Sequence, residues 1–224
     1  MSITSVLPAK RWRQAGAMLA AVLFGFLTAV NTEGLIAGKK KKEPLLRPVV
    51  QESSGDGLNL TGLDDVIVFD LDGIAGAEQV TWVQRDADTG FFWLDLDNDG
   101  QIDGGQELFG TNTPASQGLP RSGFAALAMY DQPENGGNKD GVLSRGDTAW
   151  VSLRLWVDWN HNAQVDPGEV SSMADLHIQT IDLADVPLGL ADPHGNYVLS
   201  HSLAHGEEGY DDYWVFDVLL QRAH

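Results

Sequence analysis

The sequence predicts an α+β domain of short strands and short helices, with acidic loops at the corners where strands give way to helices. Three observations predict it. Apolar runs rich in β-branched and aromatic residues, VIVF at 66–69, FFWL at 91–94 and LRLWV at 153–157, each pass straight into an Asp-rich loop. Short stretches with helical apolar spacing, FAALAMY at 124–130 and EVSSMADL at 169–176, stand beside those loops. The chain is 43% hydrophobic with 7 Trp, enough apolar material for a core in spite of a formal net charge of -18.

That charge is unevenly placed. Of 14 Lys and Arg among 224 residues, eight lie at or before Arg47; from Pro48 onward six basic residues face thirty acidic ones, a balance of -24. Nucleic acid is excluded as a partner, because phosphate binding needs a basic face. The absence of Cys removes disulfides, thiolate zinc sites and thiol nucleophiles together. A self-repelling chain of this kind calls for cations as ligands.

Taken in order, the chain opens with Lys10, Arg11 and Arg13 ahead of an uncharged apolar run over 15–30. This is the order of a signal peptide. As a helix the run rises about 24 Å, short of the roughly 30 Å of a bilayer core, so 1–32 reads as a signal peptide or an N-terminal anchor. Four lysines at 39–42 and the Pro, Ser and Gly that follow mark 33–62 as linker. The folded domain is expected over 63–224.

The first complete acidic loop is Asp95, Asp97, Asp99, Gln101 by its carbonyl, and Asp103, with Gly100 at position six and Ile102 at position eight. Alternate oxygens at this spacing converge on one calcium ion, the glycine allows the sharp turn, and the aliphatic residue pins the loop to the core. Gln106 stands where the closing acid belongs, so Glu107, one residue late, is expected to close the loop and to open a helix. The second loop, Asp158, Asn160, Asn162, Gln164 by its carbonyl, Asp166 and Glu169, has the full twelve-residue spacing but carries Ala163 in place of glycine. Ala163 must therefore take up an uncommon backbone conformation or the loop must bend differently. The third loop is degenerate: Asn138, Asp140, Gly141, Ser144 and Asp147 hold positions three, five, six, nine and twelve, Gly136 holds position one, and Asp131 across an insertion can supply the missing oxygen. A fourth begins at Asp70 and Asp72 and stops at Ile74.

Beyond the third loop, Asp147 is expected to cap a short helix through TAWV. Alternating runs at 178–183, 197–203 and 213–220 read as strands.

The succession FDLDG, TGFFWLDLDNDGQIDGGQELFG, GFAALAMYD with NKDGVLSRGD, and LRLWVDWNHNAQVDPGE resembles secreted bacterial EF-hand-type proteins and is similar to the calcium-dependent self-processing module of iron-regulated RTX proteins. The resemblance spans about 66–183, with weaker likeness in GNYVLSHSL and DYWVFDVLL. It implies a dockerin-like or EF-hand-like α+β module holding calcium at Asp95, Asp97, Asp99, Gln101 and Glu107, and again at Asp158, Asn160, Asn162, Gln164 and Glu169. It also implies cleavage of an Asp-Pro bond just upstream of the domain, an Asp carboxylate attacking its own carbonyl carbon. Here that segment reads Leu46-Arg47-Pro48, and the Asp-Pro pairs present, Asp166-Pro167 and Asp192-Pro193, lie elsewhere. Calcium is therefore expected to leave the chain intact.

Competing readings are weaker. The VIVFDLDG stretch matches the first motif of haloacid-dehalogenase-type phosphatases, with Asp70 as nucleophile and Asp72 as acid/base. The domain's sole Lys, Lys139, lies inside an acidic loop, and no βαβ series provides a parallel sheet. No Gly-x-Ser-x-Gly occurs, and His201 and His205 sit on an alternating, strand-like run without the Glu of a helical zinc motif. The expectation is an exported calcium-binding module without catalytic residues, secreted or held in a bacterial cell envelope. A protein or carbohydrate partner stays open, and membrane contact comes only through an uncleaved N-terminus.

Overall fold

The computed structural model describes residues 49–52, 57–73, 76–114 and 122–223; the expected leader and most of the expected linker lie outside them. Eleven strands and one α-helix are found among the described residues. The strands are β1 Val49–Glu52, β2 Ile67–Phe69, β3 Glu78–Val80, β4 Gly90–Leu94, β5 Val142–Ser144, β6 Leu153–Trp156, β7 Val170–Ser172, β8 Ile178–Asp182, β9 Val186–Ala191, β10 Tyr197–Gly206 and β11 Tyr213–Leu219; the helix, α1, is Gly123–Met129. The main sheet runs β5-β8-β10-β11-β1-β4-β6-β7, with β9 on the other end of β10, and β2 and β3 form a separate hairpin. Every pairing is antiparallel. None of the parallel sheet that the phosphatase reading requires is present among these strands.

β4 is the centre of the molecule because its sequence leaves it no wet face. All five residues of GFFWL are buried. Successive side chains of a strand point to opposite faces, so Phe91 and Trp93 enter one apolar cluster with Trp82, Phe69 and Trp156, while Phe92 and Leu94 enter another with Phe124, Leu127 and Leu153. The first cluster is an aromatic stack, Trp82 lying 4.5 Å from Phe91 and 5.8 Å from Trp156 by ring centroids. α1 closes the second cluster through Phe124, Ala126 and Leu127; Ser122 caps it, its Oγ accepting from the Ala125 amide at 3.0 Å.

The fold class departs from the expected α+β arrangement of the dockerin or EF-hand kind. The protein is a β-sheet structure whose acidic loops follow β4 and β6 and join α1 to β5. Of three expected helices, two give way to pairing with a neighbouring strand and the third tightens into a 3₁₀ turn. Glu107-Leu108-Phe109 forms a bridge, Leu108 pairing with Trp93. The segment after Glu169 becomes β7 against β6. Thr148–Val151 is a 3₁₀ turn, and the Asp147 side chain does not cap it. A helix of one or two turns carries a nucleation cost it cannot recover alone, whereas an open strand edge offers the same backbone immediate partners. The linker expected over 33–62 also contributes to the sheet, since β1 sits between β11 and β4 and Leu60 is fully buried.

Candidate metal centre

Three acidic loops share one architecture, with amides one position apart in places. In the loop after β4, Asp95 accepts from the amides of Asn98 (2.7 Å) and Gly100 (3.1 Å). In the loop after β6, Asp158 accepts from Asn162 (3.0 Å) and Ala163 (2.8 Å). In the loop before β5, Asp131 accepts from Asp140 (3.2 Å) and Gly141 (3.1 Å). Asp131, seven residues ahead of Asn138, thus occupies the first position that Gly136 leaves without a side chain.

The closing acid repeats the pattern. Glu107 accepts from Leu96 (2.9 Å) and Asp103 (3.0 Å), Glu169 from Trp159 (3.0 Å) and Asp166 (3.1 Å), and Asp147 from Asn138 (3.1 Å) and Ser144 (2.8 Å). This is why Asp147 does not cap the turn that follows it. Between the two ends, position five accepts from the amide of position seven in each loop: Asp99 from Gln101, Asn162 from Gln164 and Asp140 from Val142. Asp97 and Asn138 likewise accept from Asp99 and Asp140.

The backbone bends alike in all three. Asn98, His161 and Lys139 at position four have φ of 62°, 58° and 60°, and Gly100, Ala163 and Gly141 at position six have φ of 78°, 56° and 90°. Ala163 therefore adopts the left-handed conformation that glycine elsewhere makes inexpensive, at a strain of roughly 1 kcal/mol.

The side chains can hold a hard cation. One oxygen from each of Asp95, Asp97 and Asp99 lies within 4.8 Å of the others, a span two calcium–oxygen bonds of about 2.4 Å can bridge. Asn160 Oδ1 is buried without a hydrogen-bond partner, an acceptor a cation would satisfy. The Asn160 and Asn162 side-chain amides both donate to Asp166 Oδ2, at 2.7 and 2.8 Å, and these bonds, Asn160's foremost, hold the Asp166 carboxyl below the usual carboxylate range. Burial pushes Glu107 upward; the Leu96 and Asp103 amides oppose this, and the charges of Asp97 and Asp95 add to it. Asp103, Gln101 and Gln164 are exposed; Asp103 does not belong to the group that Asp95, Asp97 and Asp99 form.

Two residues outside the spacing belong to the second loop. The Trp82 indole N–H donates to Asp158 Oδ2 at 2.9 Å and the Trp156 indole to Glu169 Oε2 at 3.3 Å. Nothing in the local sequence marks Trp82, which is 76 residues from its partner. The two histidines singled out above sit apart from the loops: His205 lies between Asp182 and Asp212, at 3.1 and 3.2 Å, and His201 packs edge-on against Trp214.

The chain is 33% identical over 140 residues, 61% of its length, to the Iron-regulated protein FrpA of Neisseria meningitidis serogroup C, and it spans 12% of that protein. This bears out the likeness to iron-regulated RTX proteins; an EF-hand or dockerin identity is not supported. Residues 49–221, from β1 to just past β11, match the model of the SPM domain, and the chain accordingly belongs to the SPM domain family.

Proposed function

We propose that the chain is an exported calcium-binding module in which ions in the three acidic loops lock the strand connections. The observation that carries this reading is the threefold recurrence of a closely similar hydrogen-bond pattern, with a first and a last carboxylate each drawn inward by two amides of its loop and two left-handed residues between them. Bound ions would relieve the repulsion among converging carboxylates and add to stability by mass action. A site with a dissociation constant near 10 µM contributes about 2.7 kcal/mol in millimolar calcium. Calcium titration calorimetry and thermal melting of the protein test it. The expected result is binding that favours calcium over magnesium and a melting point many degrees lower in chelator. Identical melting curves in calcium and chelator would sink it.

The module binds without cutting itself. Arg47 precedes Pro48 and offers no carboxylate to attack its own carbonyl. Asp166 of the first Asp-Pro pair is engaged by two asparagine amides. Asp192 of the second accepts from the amides of His194 and Asn196 and from the Asn196 side chain. Incubation with calcium is expected to leave the mass unchanged. A calcium-triggered break at Asp192-Pro193, abolished by Asp192→Asn, would overturn this. The apolar N-terminal run and the relationship to an iron-regulated RTX-type protein support a location outside the cytoplasm, secreted or in the cell envelope, with a protein or carbohydrate as its larger partner.

A further inference from the structure

The truncated motif at Asp70 and Asp72 ends in sequence at Ile74, but the β2–β3 hairpin completes it in space. In the antiparallel register Glu78 faces Phe69, which places its carboxylate beside the loop that begins one residue later. One oxygen each from Asp70, Asp72 and Glu78 lies within 4.8 Å of the other two. We propose that these three residues form a further calcium site, distinct from the three acidic loops and independent of whether those bind.

Proximity of acids alone would not carry this; the state of Glu78 does. Its side chain is 7% exposed, and neither carboxylate oxygen has a hydrogen bond of ordinary geometry. A buried carboxylate so poorly supplied with donors is among the most costly groups a fold can hold. The first and last carboxylates of the three acidic loops, by contrast, each collect two amides. Glu78 is also flanked by like charge, since an oxygen of Asp70 and one of Asp72 lie within 4.8 Å of its own. Arg222 Nη1 is 3.5 Å from Asp72 Oδ2. Three carboxylates and one guanidinium leave a formal charge of -2, the complement of one divalent ion.

The surroundings suit a hard, oxygen-preferring ion. The residues that build the pocket are fixed from behind: Phe69, Leu71 and Val80 are buried in the aromatic cluster, and the Asp70 carbonyl accepts from the Gly105 amide at 2.8 Å. Gly105 permits this contact, since a Cβ there would lie 1.9 Å from the Leu71 carbonyl oxygen. A neutral oxygen is also at hand, because Gln106 Oε1 lies 3.2 Å from where a Cβ of Gly73 would stand. Gln106, out of place as the closing residue of its own loop, thus faces the residue after Asp72. Ligation by oxygen alone, with acids and an amide and no His or Cys, is the chemistry of calcium rather than of zinc or copper.

The experiment counts ions on the full chain. Wild type, Glu78→Gln, Asp70→Asn and Asp158→Ala are dialysed to equilibrium in millimolar calcium and the bound metal is measured per chain, with melting in chelator to establish that each variant folds. Glu78→Gln and Asp70→Asn are each expected to hold one calcium fewer than wild type, and Asp158→Ala to retain the ion those two lose. Glu78→Gln should melt no lower than wild type in chelator, since an amide replaces a buried charge. If the acidic loops bind nothing, wild type still carries the single ion that Glu78→Gln lacks, so the two readings fail separately. An unchanged ion count in both hairpin variants overturns the site, and so does retention of that ion from magnesium but not from calcium. Should Glu78→Gln not fold, the half-buried Asp70 decides the question.

Discussion

The loop after β4 and the loop after β6 carry the same ligand spacing up to a closing acid one residue later in the first, and nearly the same amide pattern, yet they are wired to the molecule differently. Asp97 and Asp99 are exposed, and Asp95 accepts from two backbone amides of its own loop. Asp158 is fully buried and takes, besides its two amides, the indole N–H of Trp82 from the aromatic cluster; Glu169 takes that of Trp156. One loop is a local device on the surface, while the other is continuous with the core. Ligand grammar therefore specifies where a cation goes and does not specify what its loss costs.

The sharpest way to break this contrast is to remove the first acid of each loop. In chelator, Asp158→Ala is expected to destabilise by about 3 kcal/mol, because it leaves the buried Trp82 indole and two amides without an acceptor. Asp95→Ala, whose orphaned amides can turn to water, should cost about 1 kcal/mol or less. Urea unfolding measures both. Equal losses would show that the aromatic wiring is incidental.

Backbone strain offers a second, smaller contrast. Position six is Gly100 in one loop and Ala163 in the other, both left-handed, and a Cβ at Gly100 would meet nothing within 4 Å. Gly100→Ala should thus cost about 1 kcal/mol through conformation alone, a penalty Ala163 already carries where the buried Asp158 and the core hold the turn. A neutral result in equilibrium unfolding would mean the surface loop bends freely without its glycine.

The smallest effect belongs to a surface cluster remote from both. Asp182 foremost, then Asp212, raise the affinity of His205 for a proton above its ordinary 6.5, against the opposing effect of burial. A group whose folded pKa is raised adds stability below the unfolded pKa and loses it as pH rises through the folded one. The stability difference between wild type and His205→Asn should accordingly be larger at pH 5 than at pH 8. With the imidazole 38% exposed, solvent screening keeps it below about 1 kcal/mol. A difference independent of pH would assign His205 a purely packing role.

Positions within one loop could be read from the chain, because ligand spacing is a local property: residues two apart on a tight turn face the same point whatever fold surrounds them. The strands over 91–94, 153–156 and 213–219 were equally open to reading, since apolar runs rich in β-branched and aromatic residues are a local signal too, and α1 followed from FAALAMY. The fold class was not. EVSSMADL has helical apolar spacing, yet its first residues pair with β6 because that edge was free, and no local signal reports a free edge. Glu78 and Trp82 show the same limit at the level of chemistry. Glu78 meets Asp70 only through a hairpin register and Trp82 meets Asp158 only through the packing of the core, and both are consequences of burial and long-range pairing that exist only once the chain has closed on itself.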